Sequence, residues 1–309
     1  FSNIGYSYSN TKALNSTDGS TSVVKATNTY SGTGGLHQVY LGLGWSPFKG
    51  FAIGVNAAYL WGDYSRSVIN SYTDAYANTL SKYYTAEVHN YKLDFGMQYT
   101  QKITKNDAIT LGVTYGLGHK LSSDPKCQII STNAQTAVAD TATYSIGNGL
   151  ELPHSYGVGL MWNHANRWRV GADYTLQKWS SVAYPKFDTS TNSYELVSGQ
   201  FADRHKMTVG GEFCPDERSR NFFKRVHYRM GASYATDYLK IKGQNGPKEY
   251  SVSAGFGIPI VNGYNNRSLL NISAQWVRQD SKTFVTENSF RINIGLTFNE
   301  RWFAKWKME

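Results

Sequence analysis

Lys92, Asp94 and Gln98 are spaced two and four residues apart, set between Tyr91, Leu93, Phe95, Met97 and Tyr99. Successive side chains of a strand point to opposite faces, so this spacing puts the charged groups on one surface and the large apolar groups on the other. The same parity selects Arg169, Asp173 and Gln177, then Lys206 and Glu212, Arg229, Asn271 and Gln275, and finally Arg291 and Asn293. Charges of both signs on one wall can form ion pairs with each other or with a plug, or can line a wet passage; the abundance of glycine between them favours a paired network. Catalysis would need a nucleophile and a base placed together, and the sequence does not offer them. His37, His89, His119, His154, His164, His205 and His227 lack ligand spacing, so neither a metal nor a cofactor is expected. Asn271, Ser273 and Gln275 share an inward face and suit a polar lining better than the Ser, His and Asn of a membrane-surface hydrolase. Gly32-Thr33-Gly34-Gly35 precedes a strand instead of a helix, which makes it a loop-to-strand hinge and not a phosphate loop. No enzyme is predicted.

The elements that must position these residues are strands. Apolar rows of period two recur at Phe51–Trp61, Ile109–Leu117, Leu152–Trp162, Trp168–Leu176, Met207–Phe213, Val226–Tyr234, Tyr250–Ile258, Leu270–Trp276 and Phe290–Phe298, often with aromatics near the ends. A tilted strand of about ten residues crosses an apolar band about 25 Å tall, and aromatic rings girdle both interfaces. Soluble sandwiches alternate in the same way, but their connections have no reason to sort by length. Here Ser46–Gly50, Lys102–Asp107, Asn163–Arg167 and Val261–Arg267 are tight, and Pro215–Lys224 is only somewhat longer. Thr11–Gly35, Asp63–Tyr83, Lys120–Gly149 and Ser180–Gln200 are long, polar and expected to be irregular. Short turns on one side and long loops on the other predict an all-β transmembrane antiparallel barrel of about twelve visible strands, with its tight turns in the periplasm.

Mean hydropathy is -0.45, yet the chain carries 23 Tyr and 8 Trp, and no stretch approaches an apolar membrane helix. The formal charge of +9 concentrates locally at Glu217–Arg225 and Arg301–Lys307. Both stretches belong to the end assigned to the periplasm, so lipid headgroups or a periplasmic protein, and no nucleic acid, are the expected partners. Cys127 lies in a long loop and Cys214 beside a tight turn, hence at opposite mouths and unpaired with each other.

Gly34–Phe48 (GGLHQVYLGLGWSPF), Glu151–Leu160 (ELPHSYGVGL), Gly171–Trp179 (GADYTLQKW), Tyr250–Ile260 (YSVSAGFGIPI) and Arg291–Phe303 (RINIGLTFNERWF) resemble the FadL/TodX-like outer-membrane transport proteins of Bacteroidota. The resemblance covers nearly the whole chain. It implies a fourteen-stranded barrel in the outer membrane of a Gram-negative bacterium, closed inside by an N-terminal hatch, with a lateral opening at a kinked strand. On that template residues 1–299 are one barrel that begins within the third strand, its hatch and first two strands lying upstream, and residues 300–309 are a periplasmic tail. Ser2, Asn3 and Gly5 fall on the kinked strand. The expected lumen network is Lys92, Asp94, Gln98, Arg169, Asp173, Lys206, Glu212, Arg229, Gln275 and Arg291.

Two functions follow. In the first, the barrel takes up a hydrophobic small molecule passively, with Tyr64, Tyr72, Tyr76, Tyr83 and Tyr84 gathering it above the membrane. In the second it conducts nothing and serves as a structural or accessory subunit of a larger outer-membrane complex, with outer-membrane or periplasmic proteins as partners. Outer-membrane lipid and lipopolysaccharide surround it in either case.

Overall fold

The computed structural model describes residues 4–14, 23–241, 243–261, 267–281 and 286–297. One continuous antiparallel path joins twelve strands in chain order: β1 (Ile4–Leu14), β2 (Val24–Phe48), β3 (Phe51–Tyr72), β4 (Thr79–Lys102), β5 (Asp107–Gly116), β6 (Ser155–His164), β7 (Trp168–Gln177), β8 (Arg204–Phe213), β9 (His227–Ala235), β10 (Lys248–Val261), β11 (Arg267–Asp280) and β12 (Glu287–Thr297). The hairpin Lys126–Thr132 with Ala139–Ser145 adds two strands to the edge of β4, for fourteen in the sheet.

Register follows the apolar rows. Val55 lies opposite Phe95, Met97 opposite Val113, Val113 opposite Val158, Leu160 opposite Ala172, Ala232 opposite Val252, and Ile272 opposite Ile294. A slip by one residue would turn every such row to the other face, so burial of one face by lipid fixes the register. Aromatic pairs bound the band: Tyr59 with Trp61, Tyr91 with His119, Tyr115 with His154 and Tyr234 with Tyr250 on one rim, and Phe48 with Phe51 and Trp168 with Phe213 on the other. Tyr115 and Tyr174 hydroxyls also meet Nδ1 of His154 and His205, at 2.8 and 2.7 Å, which places these imidazoles at a membrane interface.

The long polar connections are not irregular. β2, β3 and β4 have 25, 22 and 24 residues, about 70–80 Å at the usual strand rise, so about half of each stands above the aromatic rim. Thr11–Leu14 and Val24–Gly35 are strand, as are Asp63–Tyr72 and Thr79–Tyr83, and hairpins occupy much of Lys120–Gly149 and Ser180–Gln200. Serine and threonine ladders hold this upper sheet: Ser9 to Thr29 and Thr11 to Thr27 at 3.0 Å, and Ser31 to Ser67 at 2.6 Å. Above the membrane both faces of a strand can be wet, so polar composition there signals solvent and not loss of pairing. Gly32–Gly35 is accordingly part of β2 and not a hinge between loop and strand. Gly34, at φ 137°, lies where a Cβ would stand 2.4 Å from the Asp63 carbonyl oxygen, so the two backbones approach too closely for any side chain.

The barrel seam is open among the described residues. β1 pairs only with Val24–Gly34 of β2, above the rim, leaving the membrane half of β2 without a described partner on that side. Leu41 of β2 and Ile292 of β12 are 71% and 67% exposed, and nearly every neighbour on both faces of these two segments is exposed as well. Residues 262–266 and 298–309, which include most of the expected tight connection from Val261 to Arg267 and the expected tail, lie outside the described residues.

Replacing Ile53 or Leu111 by Arg should destabilise the barrel in lipid by about 2–4 kcal/mol, whereas Gly112→Ser on the inner wall should be nearly neutral. Gly112 has nothing within 4 Å of an added Cβ. Urea unfolding in bilayers checks this, and equal stability of the two classes would mean that the faces are exchanged.

Candidate functional site

Parity brings the inward charges of β7, β8 and β9 and the Asn271 amide of β11 to one level near the tight-turn end. Glu212 is the hub: Oε1 accepts from Arg169 at 3.0 Å and meets Nδ1 of His227 at 3.2 Å, while Oε2 accepts from Nε of Arg229 at 2.6 Å. Arg229 also donates to Oδ1 of Asn271 at 2.6 Å, and Asn271 donates to Thr297 at 3.2 Å, so the chain of contacts runs from β7 to β12. The side chain of Glu212 is 17% exposed, and a carboxylate this sheltered needs several donors. Lys92 pairs with Asp94 on β4. Asp173 lies against Gly159, where a Cβ would meet its carboxylate oxygen, and shares an inner-wall recess with Gln98, Arg169 and Glu212. Gln275 and Arg291 are register partners, and Lys206 is exposed on β8.

Of the expected network, Arg169, Glu212 and Arg229 form one cluster and Lys92 with Asp94 a separate pair. His227 and Asn271 join the cluster although only Asn271 stood out beforehand. Parity alone identifies His227, two residues before Arg229 and on the same face. Near the outer rim the inner face is apolar, with Leu60, Val88 and Leu121 buried. Ser2 and Asn3 lie outside the described residues. Gly5 pairs with Thr33 in an unbroken ladder above the rim, so the described part of β1 has no kink and does not cross the hydrocarbon.

The tyrosines above the membrane divide. Tyr84 packs with Ile129, Tyr144 and Ile146 around Cys127, Phe187 and Tyr194, forming a solid core between the upper sheet and the hairpin Tyr184–Asp188 with Ser193–Val197. Burial, followed by the neighbouring Tyr184 and Tyr194, pushes the Tyr64 phenol far up, and burial also raises Tyr84 and the Cys127 thiol. Lys82 over Phe187, at 5.2 Å, binds the hairpin to β4, and Arg66 over Tyr84, at 5.6 Å, joins β3 to β4 beneath it. Tyr72 and Tyr76 are exposed, Tyr76 by 84%. These five residues therefore do not enclose one apolar pocket. A second outer brace joins Lys178 to Asp203, with Ser180 N–H donating to Asp203 at 3.0 Å and Trp179 stacked on Tyr238 at 4.5 Å.

The tight turns carry a different grouping. Cys214, Glu217 and His227 each offer a ligand atom, all within 4.8 Å of one another, a spacing in sequence that matches no ligand pattern and is created by the fold between β8 and β9. Cys127 and Cys214 are both free.

The sequence matches the family described as BamG over residues 1–309. The chain belongs to the BamG family. No curated protein matches it. Among solved structures it is similar to the CymD monoaromatic hydrocarbon channel, at 12% identity and a TM-score of 0.63, covering 98% of this chain and 88% of that one. The Ralstonia pickettii toluene transporter TbuX shares 12% identity with a TM-score of 0.53 over 97% and 88%. A Pseudomonas aeruginosa FadL homologue shares 13% with a TM-score of 0.53 over 83% and 66%. At these identities the likeness is one of fold: this BamG chain has the architecture of the FadL-like channels.

Glu212→Gln should cost about 1–2 kcal/mol in bilayer unfolding, the loss of ionic hydrogen bonds discounted for half-exposed arginines. Arg169→Gln in that background should add little, which a double-mutant cycle reads. The outer brace responds to acid. Burial would raise the Asp203 carboxyl, but hydrogen bonds from Lys178 and Ser180 and the Lys178 charge outweigh it and hold it at about 2, below the ordinary 3.8. Its contribution is full above pH about 4 and lost as pH falls through about 2. Trp179 emission, isolated by difference against Trp179→Phe, should change in that window and lose the response in Asp203→Asn.

Proposed function

We propose that this BamG protein is an outer-membrane barrel of FadL-like fold that works as an accessory subunit of a Bam-related complex, presenting a rigid sheet above the membrane to protein partners. The observation that carries this reading is the solid core of Tyr84, Cys127, Phe187 and Tyr194: it stiffens the outward extensions of β2, β3 and β4 and fills the place where a ligand-gathering pocket was expected. The family name itself points to a Bam-related role. A FadL-like fold and a continuous apolar exterior support the outer membrane of a Gram-negative bacterium as its location, and the sequence style supports Bacteroidota as the source. Lipid and lipopolysaccharide contact the girdled exterior. In this reading a hatch enters the lumen beside the paired charges, and strand preceding the described part of β1 seals the seam between β2 and β12. No enzymatic activity and no cofactor belong to this role.

Passive uptake of a hydrophobic molecule is the second reading, favoured by the architecture shared with hydrocarbon channels. Affinity purification of the full-length protein from detergent-solubilised outer membranes, with cross-linking and native mass measurement, separates the two. A stoichiometric assembly containing Bam proteins, lost in Tyr194→Ala while the barrel stays folded, is the expected outcome. A monomer that admits toluene, but not a charged sugar-sized solute, into liposomes would replace the accessory role with uptake.

A further inference from the structure

Between β8 and β9 the chain makes a braced reversal. Cys214 N–H donates to the Arg167 carbonyl at 2.8 Å, Asp216 N–H to the Lys224 carbonyl at 2.9 Å, and Asn221 caps the short helix Phe222–Arg225 by accepting from Phe223 N–H at 3.0 Å. This geometry sets the Cys214 thiol beside the Glu217 carboxylate and the His227 imidazole, with all three ligand atoms within 4.8 Å. Cys214 is 1% and His227 8% exposed, whereas Glu217 reaches solvent at the rim of the group. A sheltered thiol and imidazole with an exposed carboxylate at the entrance make a metal pocket with an entry path.

An outer shell is also present. The Nδ1 of His227 lies 3.2 Å from Glu212, whose other contacts are Arg169 and Arg229. A carboxylate accepting from one ring nitrogen fixes the orientation and tautomer of the imidazole and leaves the other nitrogen as the donor for a metal, a second-shell arrangement common to bound histidines. The thiol points to the carbonyls of Lys224 and Arg225, at 3.9 and 3.8 Å, the weak contacts of a neutral S–H.

We propose that Cys214, Glu217 and His227 bind a zinc-type divalent ion at the periplasmic mouth of the barrel, with water in the fourth position. One sulfur, one nitrogen and one oxygen suit Zn²⁺; magnesium and calcium require oxygen donors, and cuprous copper favours more sulfur. Binding draws the three ligands to about 2.0–2.3 Å from the ion. Formation of the Zn–S bond breaks the Cys214 S–H bond and releases that proton to solvent. The ion ties the end of β8, the turn and the start of β9 into one unit, against the Glu212 cluster. The site stands apart from both functional readings above, since it needs neither transport nor a partner.

The test uses full-length protein without a polyhistidine tag, stripped with chelator in detergent and titrated with ZnCl₂ against a chromophoric competitor. One ion per chain and one proton per ion are expected. Co²⁺ should add a thiolate-to-metal charge-transfer band in the near ultraviolet. Cys214→Ala should abolish the band and weaken binding by about 100-fold or more, on the scale of losing a metal-site group, and Glu217→Gln by about 10-fold. Cys127→Ala, at the opposite mouth, should bind as the parent does. Heat-modifiability on gels reports folding, and if Cys214→Ala does not fold, Glu217→Gln at its exposed position supplies the answer. Absence of stoichiometric binding, or equal affinity in a folded Cys214→Ala or Glu217→Gln protein, overturns the site.

Discussion

Inside hydrocarbon an unpaired backbone N–H or C=O costs several kcal/mol, and this constraint governs the rest of the molecule. It forces the spanning segments into one unbroken hydrogen-bonded path, and the path in turn forces side chains to alternate between lipid and lumen. The run from β2 to β12 meets the requirement at every internal ladder. The membrane half of β2 and the whole of β12 meet it on one side only among the described residues.

The same strands serve two solvents. Below the aromatic rim the outward face of β3 and β4 reads Ile53, Val55, Tyr59 and Met97, Phe95, Tyr91, because lipid must be met by apolar groups. Above it the strands continue without a break, yet hydroxyl ladders such as Ser31 with Ser67 replace the apolar rows. There the apolar contribution is confined to one side of the sheet, where the hairpin carrying Phe187 and Tyr194 covers Tyr84 and Ile129. The extension gains a core of its own, and stiffness outside the membrane suits a platform for partners more than a yielding funnel.

The lumen is ordered by charge. Glu212 draws Arg169, Arg229 and His227 from neighbouring strands because a sheltered carboxylate must be compensated, and the glycines around it let side chains lie flat on the wall. Through His227 the cluster reaches the Cys214 turn, so the inner wall is joined to the tight-turn end of the sheet.

The alternation of Tyr91–Tyr99 and its repeats, read with the sorting of turn lengths, made the all-β barrel fold and the residues that share each strand face legible in the sequence alone. Period-two geometry is local, so it needs no knowledge of neighbours. Which inward charges meet was not legible: Arg169 and Glu212 are 43 residues apart and become partners only through the register of β7 with β8. Polarity misled in Thr11–Gly35 and Asp63–Tyr83, because a doubly wet strand and a loop have the same composition. The fate of Tyr64 and Tyr84, and the convergence of Cys214, Glu217 and His227, were decided by tertiary structure alone. Both depend on a reversal of the chain that packs side chains from separate segments together, and no spacing along one strand encodes that.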